Sequence, residues 1–210
     1  EDSMRKTLIL AAMLAAAPVA ASADELSYTY AEAGWTQVQI NDNDLNDPSL
    51  DGAYLRGSYD IADKVNLFAG YSQVRKSVNW GNGVRSKFQL GQPELGAGYH
   101  MNMSERVDFT ADIAWLRLSL EEKVSGAGEF NGTYKDHTNA GRVTIGLRGK
   151  PSARTEAWIK GGALDGSDMD TEFVGVLGGQ VKFNKTWGVV AEGQWQGDFA
   201  QYSVGVRASF

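Results

Sequence analysis

Two histidines and no cysteine bound the chemistry this chain can carry. Without thiols there are no disulfide staples, thiolate metal sites or cysteine nucleophiles. His137 follows Asp136, and Asp165, Asp168 and Asp170 come later in the chain. An acid beside an imidazole is the pair that general-base hydrolysis needs, if the two are held in hydrogen-bond reach of a positioned water. A Gly-rich polar stretch is also what a solvated loop looks like. His100 has neither metal-ligand spacing nor triad partners, and no Gly-x-Ser-x-Gly segment supplies a nucleophile. The run from Asp165 to Glu172 crowds carboxylates in the manner of an oxygen-rich Ca²⁺ site, but the EF-hand spacing is not met. Asn41-Asp42-Asn43-Asp44 repeats the acidic character, and Trp80 lies amid Asn79, Gly81, Asn82 and Gly83 as a sugar contact or an interface anchor. The expectation is no catalytic residue, no cofactor and no bound metal.

The elements that carry these residues are strands. Alternation of apolar and polar side chains with period two gives ten candidates, near residues 26–40, 51–60, 64–76, 87–100, 106–121, 138–149, 154–164, 171–183, 187–196 and 200–210. Connections of a few residues alternate with mostly longer polar ones, among them Asn41 to Leu50, Ser77 to Ser86 and Glu122 to His137. Short turns on one side and long loops on the other characterise membrane barrels. The fold expected is an all-β, antiparallel up-and-down membrane barrel of about ten strands, eight being the smaller alternative.

The two faces differ in kind. Ala53, Leu55, Gly57 and Tyr59 oppose Tyr54, Arg56, Ser58 and Asp60, and Phe173, Leu177, Val181 and Phe183 oppose Glu172, Gln180 and Lys182. With the apolar set in lipid, the aromatics form two belts: Tyr59, Tyr99, Phe183, Trp187 and Phe210 at one end, and Trp35, Tyr71, Trp115, Trp195 and Tyr202 at the other. The inward set is Glu32, Arg56, Asp60, Glu94, Asp108, Asp112, Arg142, Arg148, Glu156, Lys160, Glu172, Lys182, Glu192 and Arg207. Unpaired charge is expensive to bury, so these groups are expected to interlock as ion pairs. Barrels of about eight strands fill their interior with side chains, whereas open channels need roughly sixteen. A plugged lumen follows.

Both ends of the chain speak for export. Met4-Arg5-Lys6, the apolar stretch Leu8 to Ala20, and Ala21-Ser22-Ala23 before Asp24 read as a signal peptide within residues 1–23, with Glu1, Asp2 and Ser3 as extra residues upstream, cleaved between Ala23 and Asp24. Residues 24–210 are then the barrel domain. At the other end Tyr202, Val204, Val206, Ala208 and Phe210 alternate with polar or small residues, resembling the assembly signal that outer-membrane barrels present to the barrel assembly machinery. The formal net charge of -6 disfavours nucleic acid as a partner, because a phosphate backbone needs a clustered positive face.

Several stretches carry a resemblance: LSYTYAEAGW, ELGAGYHMNMSERVDF, LDGSDMDTEFVGVLGGQVKFNKTWGVVAEGQW and the final strand. Together they resemble the small outer-membrane barrels of xanthomonads and related bacteria named for a proposed activator of rice immunity. The chain departs from them in the insert from Glu121 to His137 and at Lys160-Gly161-Gly162. The resemblance implies a fold and an outer-membrane address, and brings no catalytic residues.

The function expected is a monomeric, non-enzymatic barrel with a structural or adhesive role, whose loops and acidic rim meet lipopolysaccharide, host surfaces or other cells. A narrow path for small solutes or ions is the alternative. A hydrolase at the rim, as in omptin-like barrels, comes third. A lipid-A esterase would require a Ser and His pair facing the membrane, and no such pair is legible in the sequence.

Overall fold

The computed structural model describes residues 26–40, 49–81, 83–126, 131–167 and 169–210. Residues 1–23 with the Ala23/Asp24 cleavage point, Asn41 to Asp44, Asp168 and the Trp80 side chain lie outside the described residues. Ten strands run in chain order: β1 (Tyr30–Ile40), β2 (Ser49–Ala62), β3 (Val65–Gly81), β4 (Val84–Ser104), β5 (Val107–Ser125), β6 (Gly132–Ser152), β7 (Thr155–Gly166), β8 (Met169–Lys182), β9 (Trp187–Gln196) and β10 (Phe199–Ser209). Each pairs antiparallel with its chain neighbour, and β1 pairs with β10 from Tyr30↔Ser209 to Ile40↔Phe199. Closure matters because an open sheet edge would leave amides and carbonyls unpaired in hydrocarbon.

Outward positions are apolar. Ile113, Ile145, Ile159, Phe173, Leu177 and Val181 are each more than half exposed. Tyr59, Tyr99, Phe183 and Trp187 form an exposed belt near the short turns, while Trp35, Tyr71, Trp115, Trp195 and Tyr202 form another nearer the long hairpins. Inward glycines make room for the large lumen side chains. Gly178 faces Trp158 across the ladder, where a Cβ would stand 2.4 Å from the indole, and Gly96 faces Phe68, where one would stand 2.3 Å from the ring.

The strands differ from the sequence expectation at three places. The first begins at Tyr30 rather than near residue 26, and Tyr28 turns into the lumen, where it is buried. Ser77 to Ser86 is mostly strand: β3 and β4 stay paired as far as Gly81↔Val84, and Gly81 and Gly83 adopt φ of 84° and 82° at the tip. Likewise β5 and β6 stay paired as far as Val124↔Gly132. Hydropathy alternation fades once both faces meet water, while the hydrogen-bond ladder continues. That is why these segments read as loops. β4 and β6 reach 21 residues where β9 has 10, and roughly 9 to 11 suffice to cross a bilayer, so β3 to β6 project well beyond it.

Candidate functional site in the barrel lumen

The short-turn half of the lumen is an ionic network in three layers. Nearest the short turns, Glu156 is only 1% exposed at its side chain and takes Arg148 and Lys182, each at 2.5 Å. Asp108 accepts the Tyr28 hydroxyl at 2.9 Å and the Asn102 amide at 3.1 Å. The Tyr28 ring stacks on His100 at 3.8 Å, and the Arg148 guanidinium covers it at 4.6 Å. Burial and the Asp108 carboxylate push the Tyr28 phenol upward, against the Arg148 charge, so it remains a donor. Asp60 meets His100 at 3.5 Å and hydrogen-bonds to Thr29.

In the middle layer Arg207 pairs with Glu32 at 2.5 Å, and Tyr54 donates its hydroxyl to the other Glu32 oxygen at 2.6 Å. Arg56 pairs with Glu192 at 3.0 Å, and Trp158 donates Nε1–H to Glu192 Oε2 at 2.8 Å. Arg207 also lies 4.1 Å from the Tyr30 ring and 5.0 Å from that of Trp158. Above them Arg142 pairs with Glu94 at 2.5 Å, and Lys160 pairs with Asp112. All six inward bases thus have carboxylate partners. A central cavity of about 110 Å³ remains among these groups.

Glu172 falls outside the network. It lies at the hairpin end, beside a cavity of about 250 Å³ lined in part by Leu118, Met169, Gln194 and Phe199, and pairs with no base among the described residues. At that end apolar clusters stand among polar side chains such as Gln92, Gln196 and Gln201, so the ionic lining expected from the sequence does not extend through the whole lumen. Leu116, Leu164 and Val174 are fully buried in one cluster, which extends down to Val190 on the short-turn side of Glu192, and Val38, Leu50 and Val74 are buried in a second. The signal was present in β5 and β8, where Leu116, Leu118, Val174 and Val176 place apolar side chains on the inward face and erase the alternation.

Sequence reasoning missed Tyr28 and understated His100, which lies inside the lumen while its strand runs on to Ser104. Tyr28→Phe keeps the stack but removes one donor from buried Asp108. Unfolding in urea from lipid vesicles is expected to show a loss of about 1–2 kcal/mol.

The rim residues do not assemble. Asp136 accepts the backbone N–H of His137 at 2.8 Å rather than meeting its imidazole, and Asp165 accepts the Thr171 hydroxyl at 2.9 Å. A Ser and His do face each other on the outer surface, contrary to the sequence reading: Ser119 and His137 are ladder partners at outward positions. No side-chain hydrogen bond joins them, and the nearby Glu121 is held by Lys135 at 3.0 Å, so the imidazole lacks an orienting acid. Among the described residues, no three acidic or histidine side chains cluster as a metal site.

An apolar outside, an ionic inside and a closed ladder are the properties of a membrane barrel. A family model described as the outer membrane protein beta-barrel domain matches residues 7–192. The chain belongs to that family. Membership places this outer-membrane β-barrel in the bacterial outer membrane. Comparison with curated proteins by sequence gives no match. The outer membrane protease OmpT of Escherichia coli shares the fold at 12% identity and TM-score 0.50, with 90% of this chain and 100% of that chain covered. The attachment invasion locus protein Ail of Yersinia pestis is similar at 10% identity and TM-score 0.46, covering 89% and 100% of the two chains. Neisserial surface protein A is similar at 12% and 0.46, covering 88% and 98%.

Proposed function

We propose that this outer-membrane β-barrel is a plugged, non-enzymatic surface protein, exported through the periplasm and assembled as a monomer by the barrel assembly machinery. Its long β3–β6 wall serves adhesion or contact with the outer leaflet, host surfaces or other cells. The observation that carries this reading is the filled lumen: all six bases of the ionic network are paired, and buried Leu116, Leu164 and Val174 narrow the interior above. Such an interior leaves no aqueous bore. The stretches shared with the xanthomonad barrels support a place among them.

Planar-bilayer recordings of the purified chain are expected to show no steady conductance at moderate voltage. A large, stable conductance, accompanied by solute uptake into vesicles, would convert the reading to that of a narrow channel. Surface labelling of the β3–β4 and β5–β6 hairpins on intact cells should succeed where labelling at the Ser104–Val107 turn fails. The reverse pattern would invert the topology.

A further inference from the structure

The outward face changes character just above the Tyr71 and Trp115 belt, and on one side of the barrel only. Outward positions of β3–β6 carry Arg75, Lys87, Arg117, Lys123 and Lys135. At the same height, the described outward positions of β1, β2 and β7–β10 hold no Lys or Arg, and Asp51 and Asp165 stand there instead. A local positive face on a chain of net charge -6 is not a by-product of composition.

The ladder fixes how these groups are arranged. Gln73, Gly91, Ser119 and His137 form one row across the four strands; Arg75, Gln89, Glu121 and Lys135 form the next; Ser77, Lys87, Lys123 and Thr133 a third. Arg117 lies one outward step below Ser119, beside a shallow cleft of about 280 Å³ lined in part by Tyr71, Gln89, Ser119 and His137. Lys135 is engaged by Glu121, and Arg75 donates to the Gln73 amide at 2.5 Å. Arg75, Lys87, Arg117 and Lys123 have no carboxylate partner among the described residues. Beneath them runs an uninterrupted apolar wall that includes Leu95, Ile113, Trp115, Val143 and Ile145.

We infer that this face is a binding site for a phosphorylated glycolipid of the outer leaflet, with its acyl chains on the apolar wall and its phosphates on the cations. The inference deepens the proposed surface role by naming its partner. Strand spacing of about 4.8 Å and a rise of about 3.4 Å per residue spread the basic groups over roughly 15 by 20 Å. A glycerophospholipid presents one phosphodiester and occupies a fraction of that area, whereas a sugar headgroup bearing two phosphates spans it. Guanidinium and ammonium groups bind phosphate oxygens through charge-assisted hydrogen bonds. The intervening row of amide, hydroxyl and imidazole groups offers donors and acceptors to sugar hydroxyls.

The test uses the full chain in nanodiscs, with bisphosphorylated lipid A, monophosphorylated lipid A and phosphatidylglycerol as probes, read by native mass spectrometry and by titration. The parent should bind bisphosphorylated lipid A at least tenfold more tightly than phosphatidylglycerol. The triple variant R75Q/K87Q/R117Q should lose about tenfold of that affinity, while K64Q/K185Q, altered at the opposite end, keeps it. Heat-modifiable migration verifies that both variants are folded. Equal binding of all three lipids, undiminished binding by the triple variant, or displacement by millimolar inorganic phosphate alone would overturn the inference. A silent bilayer recording alongside any of these results leaves the plugged-barrel reading standing, so the two fail separately.

Discussion

Glu156→Ala is expected to destabilise the barrel by about 3–5 kcal/mol, the range for removing one partner of a buried ion pair. This carboxylate is shared by two cations, Arg148 at 2.5 Å and Lys182 at 2.5 Å, which have no other carboxylate partner among the described residues. Truncation strands both in a layer already closed by Tyr28. The penalty arises mainly from the charges left behind rather than from the lost attraction. Urea titration in lipid vesicles, followed by tryptophan fluorescence, measures it. A loss below about 1 kcal/mol would mean that water reaches this layer and screens the cations, since exposed pairs contribute that little. The double variant E156L/R148M removes one cation together with the acid and should recover part of the loss.

Trp158→Ala should combine a large stability loss with a change in permeability. The indole is 5% exposed, donates to Glu192 at 2.8 Å, lies 5.0 Å from the Arg207 guanidinium, and fills the space that Gly178 leaves open. Removing a buried tryptophan side chain costs about 3–5 kcal/mol. The vacated volume adjoins the central cavity of about 110 Å³, so a steady bilayer conductance should appear where the parent gives none. Trp158→Phe refills most of that space without the bond to Glu192. It should stay silent and lose only about 1–2 kcal/mol. A silent Trp158→Ala variant would assign the barrier to the apolar clusters above instead.

Much of this architecture is legible from residue order because a membrane barrel writes its two faces into alternate positions. Leu55 against Arg56 and Phe173 against Glu172 are such pairs, and the paired aromatic belts follow from the same pattern. Legibility ends where the two-face rule ends. Past the membrane, Lys123 of β5 and Thr133 of β6 meet water on strands that hydropathy cannot distinguish from loops. In the hairpin-end interior, Leu116 and Val174 share their strands with lipid-facing Trp115 and Phe173, so no contrast marks the inside. Tyr28 precedes the ladder altogether, and its placement depends on His100, Asp108 and Arg148, brought together from three different strands. The facing of Ser119 and His137 required the β5–β6 register, which spacing alone did not supply.

Strands of such unequal reach make the rim oblique. β3 to β6 stand as a parapet on one flank, while the strands β9, β10 and β1 stop at 10 or 11 residues on the other. Under the proposed topology, with the long hairpins facing outward, a large partner meets the parapet first. The two flanks can diverge in sequence under separate pressures while sharing one wall.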